Sequence, residues 1–196
     1  MSTMVIVLAI IALLGLFLIG IYNRLVTSRN QVKNAWSQID VQLQRRYDLI
    51  PNLVETVKSY MSYEKGTLEA VINARNQASS ALNALKNCGG PTEGSLKDII
   101  GAELALKGAM MNVFALAENY PELKASQSMA RLQEELSSTE NKVAFARQAY
   151  NDQVLAYNNA QQTFPAVLVA GVFGHHQADL YTVTEPEAKK AVKVSF

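Results

Sequence analysis

Apolar and polar positions divide this chain into one unbroken hydrophobic run followed by a series of periodic stretches. From Met4 to Tyr22 no residue is charged. These nineteen residues, rising about 1.5 Å each, give a helix of roughly 28 Å, close to the hydrocarbon thickness of a bilayer. The run is apolar on every side, unlike a helix that turns one face to a core. No Lys or Arg precedes it and no A-x-A site follows it, which argues against a cleaved signal peptide. A lipoprotein signal needs a cysteine just after the run, and the single cysteine is Cys88. Residues 1–22 are therefore expected to form a retained transmembrane anchor, with Tyr22 as an interfacial aromatic.

Beyond the anchor the pattern becomes helical. Val32, Trp36, Ile39, Leu43, Tyr47, Ile50, Val54, Val57 and Met61 step by three or four, averaging close to the helical 3.6. Pro51 falls inside this stretch and should kink the helix without ending it, because the period runs through it. A second stripe is carried by Leu68, Val71, Ile72, Leu82 and Leu85, and a third by Leu96, Ile99, Ile100, Leu104, Met110, Phe114 and Ala117. The fourth runs Met129, Leu132, Leu136, Thr139, Val143, Ala146, Tyr150, Val154, Tyr157, Gln161. The breaks between stripes fall at Asn87 to Gly94, at Tyr120-Pro121-Glu122 and at Phe164-Pro165. Ser95 with Asp98 reads as a start resembling a capping box. Sustained alternation, the mark of strands, does not occur.

The predicted fold is all-α. A single N-terminal transmembrane helix continues into an elongated antiparallel up-down four-helix bundle with coiled-coil-like packing. The bundle occupies 23–163, with helices at about 23–61, 64–86, 95–118 and 126–162. Residues 164–196 form an apolar membrane-proximal segment and a tail.

Composition narrows the function by exclusion. Lys+Arg number 18 against 17 Asp+Glu, a net charge of +1, so no basic footprint argues for nucleic acid. One cysteine rules out an internal disulfide and a cysteine zinc site, and two histidines, His175 and His176, leave almost nothing for a histidine metal site or a Ser/His triad. The adjacent histidines read as a solvated pair in a loop. No Glu-x-x-His pair of a bundle di-metal site is present. Gly89-Gly90-Pro91 lacks the spacing of a phosphate cradle, and Cys88 reads as an incidental thiol. The expectation is a protein without catalytic residues, metal or cofactor.

Two blocks of residues resemble the LemA family. The first comprises Tyr22-Asn23-Arg24-Leu25-Val26, then Ala35-Trp36-Ser37-Gln38-Ile39-Asp40-Val41-Gln42-Leu43, then Arg45-Arg46-Tyr47-Asp48-Leu49-Ile50-Pro51-Asn52-Leu53-Val54. The second comprises Thr139-Glu140-Asn141, Ala146-Arg147-Gln148-Ala149-Tyr150-Asn151, Tyr157-Asn158 and Phe164-Pro165; the ending Val192-Lys193-Val194-Ser195-Phe196 is also similar. The resemblance implies a bacterial single-pass membrane protein with a long helical bundle. It further implies relatives in magnetosome formation and an association with membrane proteases, and it carries no established catalytic residues. It assigns nothing to the 88–94 loop or to the stretch around His175 and His176.

Two functions fit these readings. One is a non-enzymatic scaffold that self-associates at the bacterial inner membrane as a homo-oligomer. The other is an adaptor presenting a helical face to another membrane protein, such as a membrane protease in quality control. Arg24, Arg29 and Lys33 follow the anchor, so the positive-inside rule places the N-terminus outside and the bundle in the cytoplasm. Translocation of a large domain can override three charges, which leaves the periplasmic arrangement open.

Two sites are expected. If the first and fourth helices start and end at one membrane level, residues whose numbers sum to about 185 stand opposite each other. Glu140 is then level with Arg45 and Arg46, and a partly buried ion pair is expected there. The apolar segment from Phe164 to Gly174 is too short to span a bilayer. It is expected either to fold onto the bundle base or a neighbouring protomer, or to form a second contact with membrane lipid. That contact would use Tyr22, Leu168 and Phe173, with Lys189 and Lys190 drawn to anionic headgroups.

Overall fold

A computed structural model describes residues 2–87 and 90–182. No strand occurs among them. The helices are α1 (Ser2–Lys58), α2 (Lys65–Asn87), α3 (Glu93–Ala117), α4 (Pro121–Lys124), α5 (Gln127–Gln162) and α6 (Ala166–Val172).

Helix α1 runs for 57 residues without interruption, about 86 Å at the ordinary rise. No residue of its apolar first part is buried, and only the last turns of that part, from Leu18 to Tyr22, meet the rest of the chain, at α6. From Leu25 onward one stripe turns inward, with Ile39, Leu43 and Tyr47 fully buried. Pro51 lies inside α1 on the exposed side. Proline lacks the N–H that would bond four residues back, so the Tyr47 carbonyl loses its helical partner. Arg75 of α2 supplies the replacement, its Nε donating to that carbonyl at 3.2 Å. Satisfying the freed acceptor lets the helix pass the proline and reach Lys58.

The chain turns between Lys58 and Lys65 with Met61 buried, and α2 packs back along α1. Lys86 Nζ lies 2.9 Å from Asp40 Oδ1, which fixes how far α2 returns. Helix α3 packs against α2. It begins at Glu93 with Thr92 as its N-cap, in a reciprocal capping box with Ser95. The start expected at Ser95 thus lies one turn earlier, since a hydroxyl at Thr92 can cap and Ser95 can reach back to it. The break at Tyr120-Pro121-Glu122 contains a single helical turn, α4, with proline in its first turn and Leu123 buried.

Helix α5 packs along α1 more extensively than any other pair of elements. Trp36 meets Tyr150 edge-on, with ring centroids 5.7 Å apart. Helix α6 then folds against α1 and α5, burying Val169 and Ala170 with Leu25. The α2–α3 hairpin covers α1 beyond Asp40, and the nearer part of the α1–α5 pair is covered by residues 175–182. This non-helical strap leaves α6 through Gly174, whose φ of +66° suits glycine.

Two helices are long and apolar enough to cross a membrane among the described residues, α1 and α3. The apolar window of α1 is unburied, whereas α3 is tied to the helices around it by Glu103 and Lys107.

Candidate functional site

Tyr150-Asn151 and Tyr157-Asn158 of the second signature block lie on the α5 face that meets the strap. Asn151 and Asn158 share that face because seven residues are nearly two helical turns. Each clamps one strap residue at both backbone positions. Asn151 donates Nδ2–H to the Tyr181 carbonyl at 3.1 Å and accepts the Tyr181 N–H on Oδ1 at 2.8 Å. Asn158 does the same to Ala178, at 2.9 Å in both directions. The spacings match: seven helical residues rise about 10.5 Å, and three extended residues about 10 Å. Gln161 Nε2 donates to Asn158 Oδ1 at 3.0 Å, which fixes the orientation of that amide.

Two tyrosines complete the clamp. The Tyr150 hydroxyl donates to the Asp179 carbonyl at 2.9 Å, and the Tyr157 hydroxyl lies 3.0 Å from His175 Nδ1. Burial, then the nearby Asp179, pushes the Tyr150 hydroxyl far above its ordinary pKa, so it stays a neutral donor. Burial pushes His175 below its ordinary value, with Arg29 and His176 acting the same way, so the imidazole is held neutral.

One strap side chain is deeply anchored. Tyr181 is 3% exposed. Its ring stacks on Trp36 at 6.4 Å, and the Arg147 guanidinium sits 5.2 Å from its centroid on the other contact. The other strap residues are half-buried or exposed. What this arrangement can do is hold an extended polypeptide by its main chain and lock it with one aromatic ring.

Beneath the strap lies a charged network. Arg46 is buried, and its Nη2 is ion-paired to Glu103 of α3. The other Glu103 oxygen accepts the Tyr47 hydroxyl. Burial lowers the Arg46 pKa, and the neighbouring Glu140 opposes that effect. Glu140 and Arg46 line one cavity between α1, α3 and α5. The direct partner of Glu140, however, is Lys107 at 3.4 Å, while Arg45 is exposed. The pairing expected between Arg46 and Glu140 thus gives way to Arg46–Glu103, because α3 brings a carboxylate into direct contact.

Where the apolar run of α1 ends, Tyr22 and Phe173 meet with ring centroids 4.8 Å apart. Leu168, Val172 and Phe173 face outward and form an apolar groove with Leu18, Ile19 and Tyr22. Lys189 and Lys190 lie outside the described residues. Among the described residues no group of three His, Cys, Asp or Glu side chains is placed to hold a metal.

Sequence reasoning quotes Tyr150-Asn151 and Tyr157-Asn158 as a signature and assigns them no task. A signal was present: two amide–aromatic pairs seven residues apart, beside an otherwise apolar stripe, are donors and acceptors in need of partners. Their partners, 20 and 30 residues away, are not visible in a local pattern.

An apolar helix running unbroken into a polar-clamped helical body defines a membrane-associated all-α protein. The chain belongs to the LemA family, which it matches over residues 35–196. It is 27% identical over 176 residues to Protein LemA of Metamycoplasma hominis, covering 90% of this chain and 73% of that one. It is 24% identical over 189 residues to Magnetosome protein MamQ 2 of Paramagnetospirillum magneticum, covering 89% of this chain and 69% of that one. Magnetosome protein MamQ of Magnetospirillum gryphiswaldense is 23% identical over 174 residues, covering 82% of this chain and 64% of that one.

Proposed function

We propose that this protein is a non-enzymatic scaffold of the bacterial inner membrane, an up-down four-helix rod on a single anchor whose copies self-associate side by side. The observation that carries the reading is the continuity of α1. Anchor and rod are one 57-residue helix, so a tilt of the rod is a tilt of the anchor, and a lateral contact between rods is transmitted to the bilayer. The outer face of α3 supports such contact. Leu104 is exposed on it, and Gly101 and Gly108 have open space where a Cβ would stand. Small residues on an apolar face permit close approach of a neighbouring helix. The positive charges after the anchor favour a cytoplasmic rod.

The test is native extraction of membranes followed by size-resolved separation and cross-linking mass spectrometry. A large homo-oligomer cross-linked through α3 is expected. Migration as a monomer, or in a fixed-ratio complex with a different protein and no self-contacts, would overturn the scaffold reading.

A further inference from the structure

The strap is held in a manner that does not depend on most of its own sequence. Asn151 and Asn158 read only the backbone N–H and C=O of Tyr181 and Ala178, and Tyr150 reads only the Asp179 carbonyl. Any extended chain presents these groups at the same spacing. The lone side-chain pocket that is deeply filled takes an aromatic ring between Trp36 and Arg147.

The receiving surface is assembled without the strap. The Trp36 ring is braced edge-on by Tyr150 from the helix opposite, and Gln161 sets the Asn158 amide from within α5. Two cations stand at the cleft: the Arg147 guanidinium lies 5.2 Å from the centre of the Tyr181 ring, and Arg29 is close enough to act on Tyr157 and His175. The strap hangs from Gly174, whose positive φ suits glycine, and covers Trp36, Tyr150 and Tyr157, a face that any displacing segment must cover in its turn.

We infer that the α1–α5 cleft is a receptor for an extended segment of a partner protein, recognised by its main chain and one aromatic residue. Residues 175–182 are its resting occupant. The partner needs no pairing of secondary structure, because the two asparagine amides supply what a neighbouring strand would supply in strand addition. The inference does not rest on self-association; a monomeric rod could carry the same cleft.

The probe is a labelled synthetic peptide of residues 174–182, Gly-His-His-Gln-Ala-Asp-Leu-Tyr-Thr. It is titrated against the full chain in detergent, with hydrogen exchange on the strap as the second measurement. The tethered strap competes at high effective concentration, so the parent chain should bind the peptide weakly. Tyr181→Ala should release the strap, seen as faster exchange with unchanged helical circular dichroism. Binding should then tighten at least tenfold. Adding Asn151→Ala and Asn158→Ala should abolish it, as should replacing the peptide's tyrosine by alanine. A released strap with no gain in binding overturns the inference, as does binding indifferent to the two asparagines. A strap that stays protected in Tyr181→Ala overturns the anchor it rests on. A photo-reactive benzoylphenylalanine at position 181 covers the remaining source. Cross-links from it into the cleft of a differently tagged copy would assign the site to a second copy and overturn the partner reading.

Discussion

Arg75 Nε on α2 donates to the Tyr47 carbonyl on α1 at 3.2 Å, and that acceptor is free because Pro51 stands four residues further on. One proline thus creates the hydrogen bond that ties α2 to α1. Arg75→Met should remove it at a cost of about 1 kcal/mol, the usual net worth of such a bond. In a chain of this size that lowers Tm by roughly 2–4 °C. Pro51→Ala restores an N–H that can bond Tyr47 within the helix. In that background the Arg75→Met penalty should fall to less than half, which a double-mutant cycle by thermal denaturation reads directly. Equal penalties in both backgrounds would contradict the account.

Glu103 holds two groups at once, the Arg46 guanidinium and the Tyr47 hydroxyl. Arg46 and Glu103 expose 10% and 11% of their side chains, so removing one charge strands the other in a poorly solvated place. Glu103→Gln should cost about 3 kcal/mol. Replacing both partners, Arg46→Met with Glu103→Leu, should cost less than the single change, because no unpaired charge remains. Chemical denaturation of the two variants against the parent decides it. A double variant worse than the single one would mean that the pair itself, not its breakage, governs stability.

The helices were legible because burial imposes a period. Trp36, Ile39, Leu43 and Tyr47 recur at helical spacing, and they line the core. The same period placed Tyr150, Val154, Tyr157 and Gln161 on a covered face, and they are buried. It could not say what covers them. Periodicity records that a face is hidden, whereas the occupant here is His175 to Thr182, a stretch with no repeat and little apolar content. The antiparallel arithmetic of α1 and α5 brought Arg46 level with Glu140, and they do line one cavity. Helix α3 escaped that arithmetic, because its level relative to α1 depends on how far α2 returns, and Glu103 took the contact. Helix α6 was hidden for a different reason. Seven residues are too few to display a period, and its formation depends on Leu25 and Ala160 being there to cover Val169 and Ala170.

The strap should loosen in acid. Burial, Arg29 and His176 hold the docked His175 below its ordinary 6.5. The released strap therefore binds protons more readily than the docked one, and protonation favours release. Docking should be fully present above about pH 6.5 and weaken as pH falls through the lower docked value. The groups facing the imidazole are Arg29 and Tyr22 on α1, Tyr157 on α5 and His176 beside it. Hydrogen exchange at Ala178 and Tyr181, corrected for intrinsic rates, should show protection steady near neutrality and declining as pH falls below about 6.5. His175→Gln should flatten that profile. A decline of equal size in His175→Gln would place the sensor elsewhere.

The helical body should touch lipid through α6, beside the end of the apolar run. Val169 and Ala170 face Leu25, so the opposite side of a seven-residue helix must turn Leu168 and Val172 away from the protein. Those residues, with Phe173 tilted against Tyr22, lie beside the last turns of the apolar run. An apolar surface at this level is a liability in water and an asset at the headgroup boundary. Phe173→Trp in a Trp36→Phe background places a single reporter there. In vesicles of lipids brominated on the acyl chains its fluorescence should be strongly quenched. The parent's Trp36 is fourteen residues beyond Tyr22 and buried, about 21 Å along the helix, so it should not respond. Leu168→Asp should reduce the quenching of Trp at 173 by drawing α6 toward water. A Trp at 173 that ignores brominated lipid would leave α1 as the one membrane contact and make the exposed face of α6 a surface for protein.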